Sequence, residues 1–337
     1  MKNKYKILVT GAAGFLGSHL SEQLANLGHD VLGIDSMIGG YKDNVPKNID
    51  FHNIDCCDFE KVKIIMSKVD IVYHCAATAH EGLSVFSPYE ITRNNYLASV
   101  SIFSAAINHK VKRIIYCSSM ARYGEQQTPF LESMKAAPVD PYAISKVAAE
   151  DVLINLCELN NIEWVIAVPH NIIGPRQKYD DPFRNVVSIM INRMLQGKAP
   201  IIYGDGEQKR CFSYIDDCLS CLIPMLDQEN LNKQIINIGP DEEFVTINQI
   251  AELCSNISGA NLPPIYKPGR PKEVKHATCS ADKARKLLNY KTSVSLKEGI
   301  QKTFEYIKKR GTLPFDYNIE IEINNELTPK TWTKKEI

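Results

Sequence analysis

Residues 8–20 read LVTGAAGFLGSHL. A short apolar, β-branched run breaks into three glycines, Gly11, Gly14 and Gly17, and an amphipathic stretch begins directly behind them. Glycines serve many ordinary turns, so the triplet alone says little. Between a strand and a helix it says more: the first turn needs backbone angles that glycine adopts freely, the middle glycine lets a pyrophosphate approach, and the helix N-terminus offers free amides with a partial positive charge. Asp35 ends the next apolar run, VLGID, 18 residues after Gly17. A carboxylate there can accept hydrogen bonds from both adenosine ribose hydroxyls and would repel a 2′-phosphate, which favours NAD over NADP. A turn or cap role for Asp35 is the simpler alternative. Asp55 and Cys56 follow the third expected strand, where they would border the adenine. Ala76 and Ala77 follow the fourth and are small enough to let the cofactor pass.

Working outward, the runs YKILVT, DVLGID, VDIVYHCAA, VKRIIYCSS and IEWVIAVP alternate with helix candidates near 15–27, 58–68, 88–109 and 141–160. Strands separated by helix-length connections imply right-handed βαβ units. The expected fold class is therefore α/β, a Rossmann-type doubly wound parallel sheet. After Pro169, Pro and Gly cluster and the elements shorten. The expected organisation is an NAD-binding domain over 1–170, to which a later segment near 208–240 returns, a smaller C-terminal α/β substrate lobe over 171–313, and a tail over 314–337. Thr246 with Gln249 and Ser295 with Glu298 read as capping boxes opening two late helices. Ile247, Ile250, Ala251, Cys254 and Ile257 fall at helical spacing and are read as core. The tail lacks periodicity and is expected to wrap the surface.

The 337 residues are 44% hydrophobic and 23% charged, with Lys+Arg and Asp+Glu equal at 39 each. No overall charge draws the chain to nucleic acid or an anionic membrane, so an anionic ligand needs a local site. Ten cysteines are scattered, several within apolar runs, which fits reduced thiols in a cytoplasmic protein better than a disulfide framework. Cys218 and Cys221 form a lone C-x-x-C with no second pair, so no metal is expected. No apolar run is long enough for a membrane span, and the N-terminal run is too short for a signal peptide.

The stretch APVDPYAISKVAAE places Asp140 as N-cap and Pro141 at the first helical position. Tyr142 and Lys146 then share one helix face. A surface tyrosine beside a lysine is the bland reading of that pair. A phenol titrates near pH ~10 in water and becomes a useful base when a neighbouring cation stabilises its phenolate. Lys146 is placed to do this and to bind ribose hydroxyls. Ser118 and Ser119 end the strand RIIYCSS, where a hydroxyl could hold a reacting oxygen or simply cap the strand. Glycine turn, Asp35, strand-end serines and Tyr/Lys pair in this order are far more specific than any one of them.

Over about residues 5–305 the chain resembles the extended short-chain dehydrogenases/reductases, most closely the UDP-hexose 4-epimerase branch. The resemblance rests on GAAGFLG, Asp35, HCAA, Asn95, CSSMARYG, PYAISK, PHNIIGPRQ, GDGEQKRCFSYIDD and GRPKEV. It implies catalytic roles for Ser119, Tyr142 and Lys146. It adds Phe15, Leu16, Asn95, Ser118 and Pro169 to the NAD site. Toward a UDP-sugar it implies Asn171 on the diphosphate, Arg210 and Glu273 on the nucleoside, and Arg270 on a phosphate, with Met120 and Arg176 also at that site. The sister 4,6-dehydratases carry Thr-Asp-Glu where this chain has Ser119-Met120-Ala121, so dehydration is not expected. The implied reaction is NAD-dependent 4-epimerisation of UDP-glucose, and of UDP-N-acetylglucosamine, by a homodimer joined through the helices near 88–109 and 141–160.

The chain departs from the family pattern at Val168, at Cys211 and in a loop carrying His80 and Glu81 near the expected sugar. The position that gates the sugar's 2-substituent aligns with Ala277, whose small side chain would leave room for an N-acetyl group. Rival readings are another nucleotide-sugar enzyme on the same scaffold (a uronate epimerase or decarboxylase, a 2-epimerase or a reductase) and a non-catalytic NAD-sensing protein.

Overall fold

The computed structural model describes residues 4–337. Seven parallel strands form the central sheet. They are β1 (Lys6–Thr10), β2 (Asp30–Asp35), β3 (Asp50–Asn53), β4 (Ile71–His74), β5 (Arg113–Cys117), β6 (Glu163–Pro169) and the late strand Gln234–Ile238. Their order is Gln234–Ile238, β6, β5, β4, β1, β2, β3. The strands read as unbroken apolar runs because both faces are covered. Leu8, Leu32, Val72, Ile114 and Ile166 point into one core, while Ile7, Val9, Val31, Ile71, Ile115 and Val165 point into the other. The strand order reverses between β1 and β4, which opens a crevice at the carboxyl edge of the sheet.

Helix α1 (Phe15–Asn26) follows the glycine turn, and the helix Pro141–Asn160 matches the expected span. Asp140 Oδ1 accepts from Ala143 N at 2.9 Å, so the expected N-cap is made. Helix Phe59–Ile65 is shorter than expected. The helix expected over 88–109 is interrupted: α-helix runs Pro88–Thr92 and Ala98–Asn108, with a π-helical turn at Arg93–Leu97. The cause is Asn95. Its side-chain amide donates to the carbonyl of Ile91 at 2.8 Å, taking an acceptor the regular helix would use.

The remaining chain builds a second lobe from short strand pairs. Ile201–Tyr203 pairs with Ile265–Lys267, and Lys209–Arg210 lies between Val245–Thr246 and His276–Ala277. Helices Val186–Leu195, Ile247–Ser258 and Leu296–Arg310 enclose a separate apolar core that includes Ile247, Ile250, Ala251 and Cys254. The Thr246/Gln249 capping box is complete, with reciprocal bonds of 3.1 and 2.8 Å. The second box is half made: Ser295 Oγ accepts from Glu298 N at 3.3 Å, but the Glu298 carboxylate turns outward to Lys302. Residues beyond Leu313 do more than wrap the surface. Trp332 and Ile337 are buried against Leu83, Phe86 and Phe183. All ten cysteines are free thiols. Among the described residues no helix is long and apolar enough to cross a membrane, and no cluster of side chains is suited to a metal ion.

Candidate active site

Two cavities open between the sheet edge and the second lobe. The first is lined by Gly11, Gly14, Phe15, Leu16, Gly17, Asp35, Asp55, Cys56, Ala76 and Ala77, then by Ser118, Ser119, Tyr142, Lys146, Pro169 and Asn171. It gathers residues from six strand ends. The glycine turn is tight for a visible reason: Gly11 has φ +74°, and a Cβ on Gly17 would stand 2.1 Å from the Gly11 carbonyl oxygen. Gly14 caps α1 with no side-chain bond, which leaves the helix amides available to an anion. Asp35 lines the same cavity, and its carboxylate accepts from Ala13 N at 3.0 Å and Met37 N at 2.7 Å. Burial raises its pKa, opposed by those amides. The cap reading and the ligand reading of Asp35 thus describe one carboxylate. An open glycine cradle with a carboxylate at the end of β2 fits an NAD molecule lying along the edge.

At the far end, Tyr142 and Ser119 line the same cavity, and the Ser119 hydroxyl is near enough to favour the phenolate. Burial pushes the phenol's pKa up, as do Glu81 and Asp140, while Ser119 and Arg184 act the other way. Lys146 does not reach the phenol as expected. Its ammonium donates to the Cys117 carbonyl at 2.8 Å and lies 4.7 Å above the Tyr116 ring. Burial lowers its pKa to about 8, against the pull of Cys117, Cys75 and Glu150. Behind it runs a buried polar chain in which Thr10 Oγ1 meets His74 Nδ1 at 2.8 Å and His74 Nε2 meets Ser99 Oγ at 2.9 Å. Burial holds His74 down to about 3, so it stays neutral and serves to tie β1, β4 and the helix Ala98–Asn108 together. Glu150 is similarly enclosed by Ser118 and Arg122.

The second cavity is lined by Asn171, Gln208, Arg210, Arg270 and Glu273, with Tyr203, Phe212 and the C-terminal Ile337. Arg270 pairs with Glu273 at 2.8 Å and lies over the Tyr203 ring. Arg210 donates to the carbonyls of Lys209 and Val274. Two half-buried guanidinium groups make this the cationic end of the cleft, as a diphosphate requires.

Four expected site residues lie elsewhere. Asn95 is consumed by backbone, donating to Thr78 O and Ile91 O and accepting from Thr78 N. Met120 packs on the core. Arg176 adopts φ +67° and pairs with Glu22 at 2.8 Å, away from both cavities. Ala277 is buried in the apolar core on a strand paired with Lys209–Arg210, so its size does not gate either cavity. Conversely, Arg184 and Tyr203 were missed. Both come from irregular or very short segments that carry no periodic signal.

The profile of the NAD dependent epimerase/dehydratase family matches residues 7–239. The chain belongs to that family. Within it, the chain is 33% identical over 310 residues to a putative UDP-glucose 4-epimerase of Methanocaldococcus jannaschii, covering 90% of this chain and 99% of that one. It is 30% identical to a UDP-N-acetyl-alpha-D-glucosaminuronate decarboxylase of Bacillus cytotoxicus, over 91% of this chain and 98% of the relative. The crystal structure of UDP-glucuronic acid 4-epimerase from Bacillus cereus, in complex with UDP-glucuronic acid and NAD, superposes with a TM-score of 0.84. It is 30% identical, over 91% of this chain and all of the other. The family member described here is an NAD-dependent enzyme on a Rossmann-type scaffold. Its relatives epimerise or decarboxylate different sugars.

Proposed function

We propose that the protein is a UDP-sugar 4-epimerase acting on UDP-glucose and UDP-galactose. The observation that carries this reading is the grouping of Ser119, Tyr142 and Lys146 at the end of the glycine-turn cavity that adjoins the arginine-lined one. A nucleotide sugar whose diphosphate meets Arg210 and Arg270 would extend its hexose toward Tyr142. Ser119 would hold the sugar O4, and Tyr142 would take the O4 proton and later return it. Lys146, fixed on the Cys117 carbonyl, would orient the ribose beside the phenol. NAD held along the glycine turn and Asp35 would supply a reversible hydride acceptor, so the net redox change would be zero. Inversion at C4 would require the 4-keto sugar to present its other face within the cleft.

Purified protein incubated with UDP-glucose and no added cofactor should show, by proton NMR, the anomeric signal of UDP-galactose. An unchanged spectrum from protein that releases NAD on heat denaturation would overturn the assignment of this substrate pair.

The homodimer belongs to the same proposal. Tyr89, Leu97, Ile144 and Leu159 are exposed apolar side chains on the two helical segments expected to form the interface. Ten free thiols support a reducing, cytoplasmic setting.

A further inference from the structure

The two cavities share only a few lining residues: Ala79, Glu81, Asn171 and Arg184. Any sugar that spans from the arginine cluster to Tyr142 must pass this junction. Two of the four carry charge, and they face differently. Arg184 is tied back by Asp181, with its Nε 3.3 Å from Oδ2, and its Nη2 lies 3.2 Å from where a Gly39 Cβ would stand, beside the dinucleotide loop. Glu81 has no such tether. Among the described residues its carboxylate has neither a hydrogen bond nor an ion pair, although its neighbour His80 is locked to Asp181 at 2.7 Å. An unpartnered carboxylate at a half-buried junction is costly unless a ligand completes it.

We propose that Glu81 is the specificity-determining residue of this site: its carboxylate accepts hydroxyl groups of a neutral hexose and excludes sugars bearing a carboxylate at C5. This rests on the UDP-sugar reading above. Burial pushes the Glu81 carboxyl up to about 7; Asp140 and Glu273 push the same way and Arg210 and Arg270 pull it down, so the side chain is an anion above that pH. Arg270 Nη1 passes 3.4 Å from a Cβ position on Gly82. A diphosphate arriving at the two arginines would take up their charge and leave Glu81 facing the sugar alone. At pH 9, where Glu81 is ionised, a hexuronate would set two carboxylates together in a partly dehydrated cleft or force Glu81 to take up a proton, which disfavours it on the order of 100-fold.

The test compares wild type and Glu81→Gln by calorimetric Kd and by kcat/KM on UDP-glucose and UDP-glucuronate. At pH 9 wild type should bind UDP-glucose about 100-fold more tightly than UDP-glucuronate, and the preference should shrink toward pH 7 as Glu81 takes up its proton. The Gln variant keeps the shape and removes the charge, so it should gain about 10-fold or more for UDP-glucuronate while losing no more than about 3-fold for UDP-glucose. Equal preference in both proteins, or a wild type that favours UDP-glucuronate, would overturn the inference. Because binding is read apart from turnover, the shift in Kd without epimerisation would uphold Glu81 while rejecting the epimerase reading. Glu81→Asp, which keeps the charge, should retain the wild-type preference. Loss of that preference in Glu81→Asp would count against the charge argument.

Discussion

His80 Nε2 and Asp181 Oδ2 meet at 2.7 Å, both nearly inaccessible to solvent, and join the loop after β4 to the loop that begins the second lobe. Burial alone would raise the Asp181 pKa, but His80, Arg184 and the Phe183 amide outweigh it and hold the carboxyl well below its usual range. Burial pushes His80 down against the pull of Asp181. The pair therefore fixes Glu81 on one side and Arg184 on the other. Removing the carboxylate leaves a buried imidazole and a guanidinium without their acceptor. Asp181→Ala should lose about 3 kcal/mol of stability in urea unfolding, with weaker binding of both NAD and UDP-sugar. A variant as stable as wild type would show that the strut carries no load.

Tyr142→Phe keeps the ring and deletes only the proton-accepting oxygen. Because the ring sits against Ile91, Ala121 and Ala143, the fold and NAD retention should persist. Turnover should fall by about 10²- to 10⁴-fold, read by NMR with NAD content measured on the same sample. Retention of more than a tenth of the activity would remove Tyr142 from the reaction.

Gly17→Ala probes the cradle. The added methyl would meet a backbone oxygen at 2.1 Å, so either α1 or the turn must move. The variant should purify without NAD and melt several degrees lower. Co-purification of stoichiometric NAD would show that the turn yields more easily than its geometry implies.

Lys146 gives a stability difference that depends on pH with a defined sign. Its folded pKa is lowered to about 8 by burial. The unfolded side chain keeps its proton to pH ~10.4, so between these values the unfolded state binds more protons and stability rises with pH. Relative to Lys146→Met, the wild-type apoprotein should gain about 2 kcal/mol between pH 7 and 9.5. Parallel curves for the two proteins would refute the lowered pKa.

The C-terminal segment should act on substrate binding. Trp332 stacks edge-on against Phe86 and Phe183, Tyr203 Oη meets Thr331 Oγ1 at 2.6 Å, and Ile337 lines the arginine cavity. Trp332→Ala should cost about 3 kcal/mol and raise KM for the UDP-sugar more than it lowers kcat. Trp332→Phe should restore most of both. An unchanged KM in the Ala variant would confine the tail to a packing role.

Much of this protein was legible in the chain because its information is local. The glycine turn, the apolar strands covered on two faces, the Asp140 cap and the one-turn separation of Tyr142 from Lys146 each follow from neighbours within a few residues. Backbone sterics and hydrophobic periodicity act over that range. Tertiary structure decided what depends on residues far apart. It spent Asn95 on Thr78 and the π turn, and turned Arg176 to Glu22. It sank Ala277 into the core and anchored Lys146 on Cys117 rather than on the phenol. It also left Glu81 bare where two cavities meet. Each of these outcomes is a competition for hydrogen bonds, charge and buried space between segments up to about two hundred residues apart, and spacing along the chain does not encode its winner.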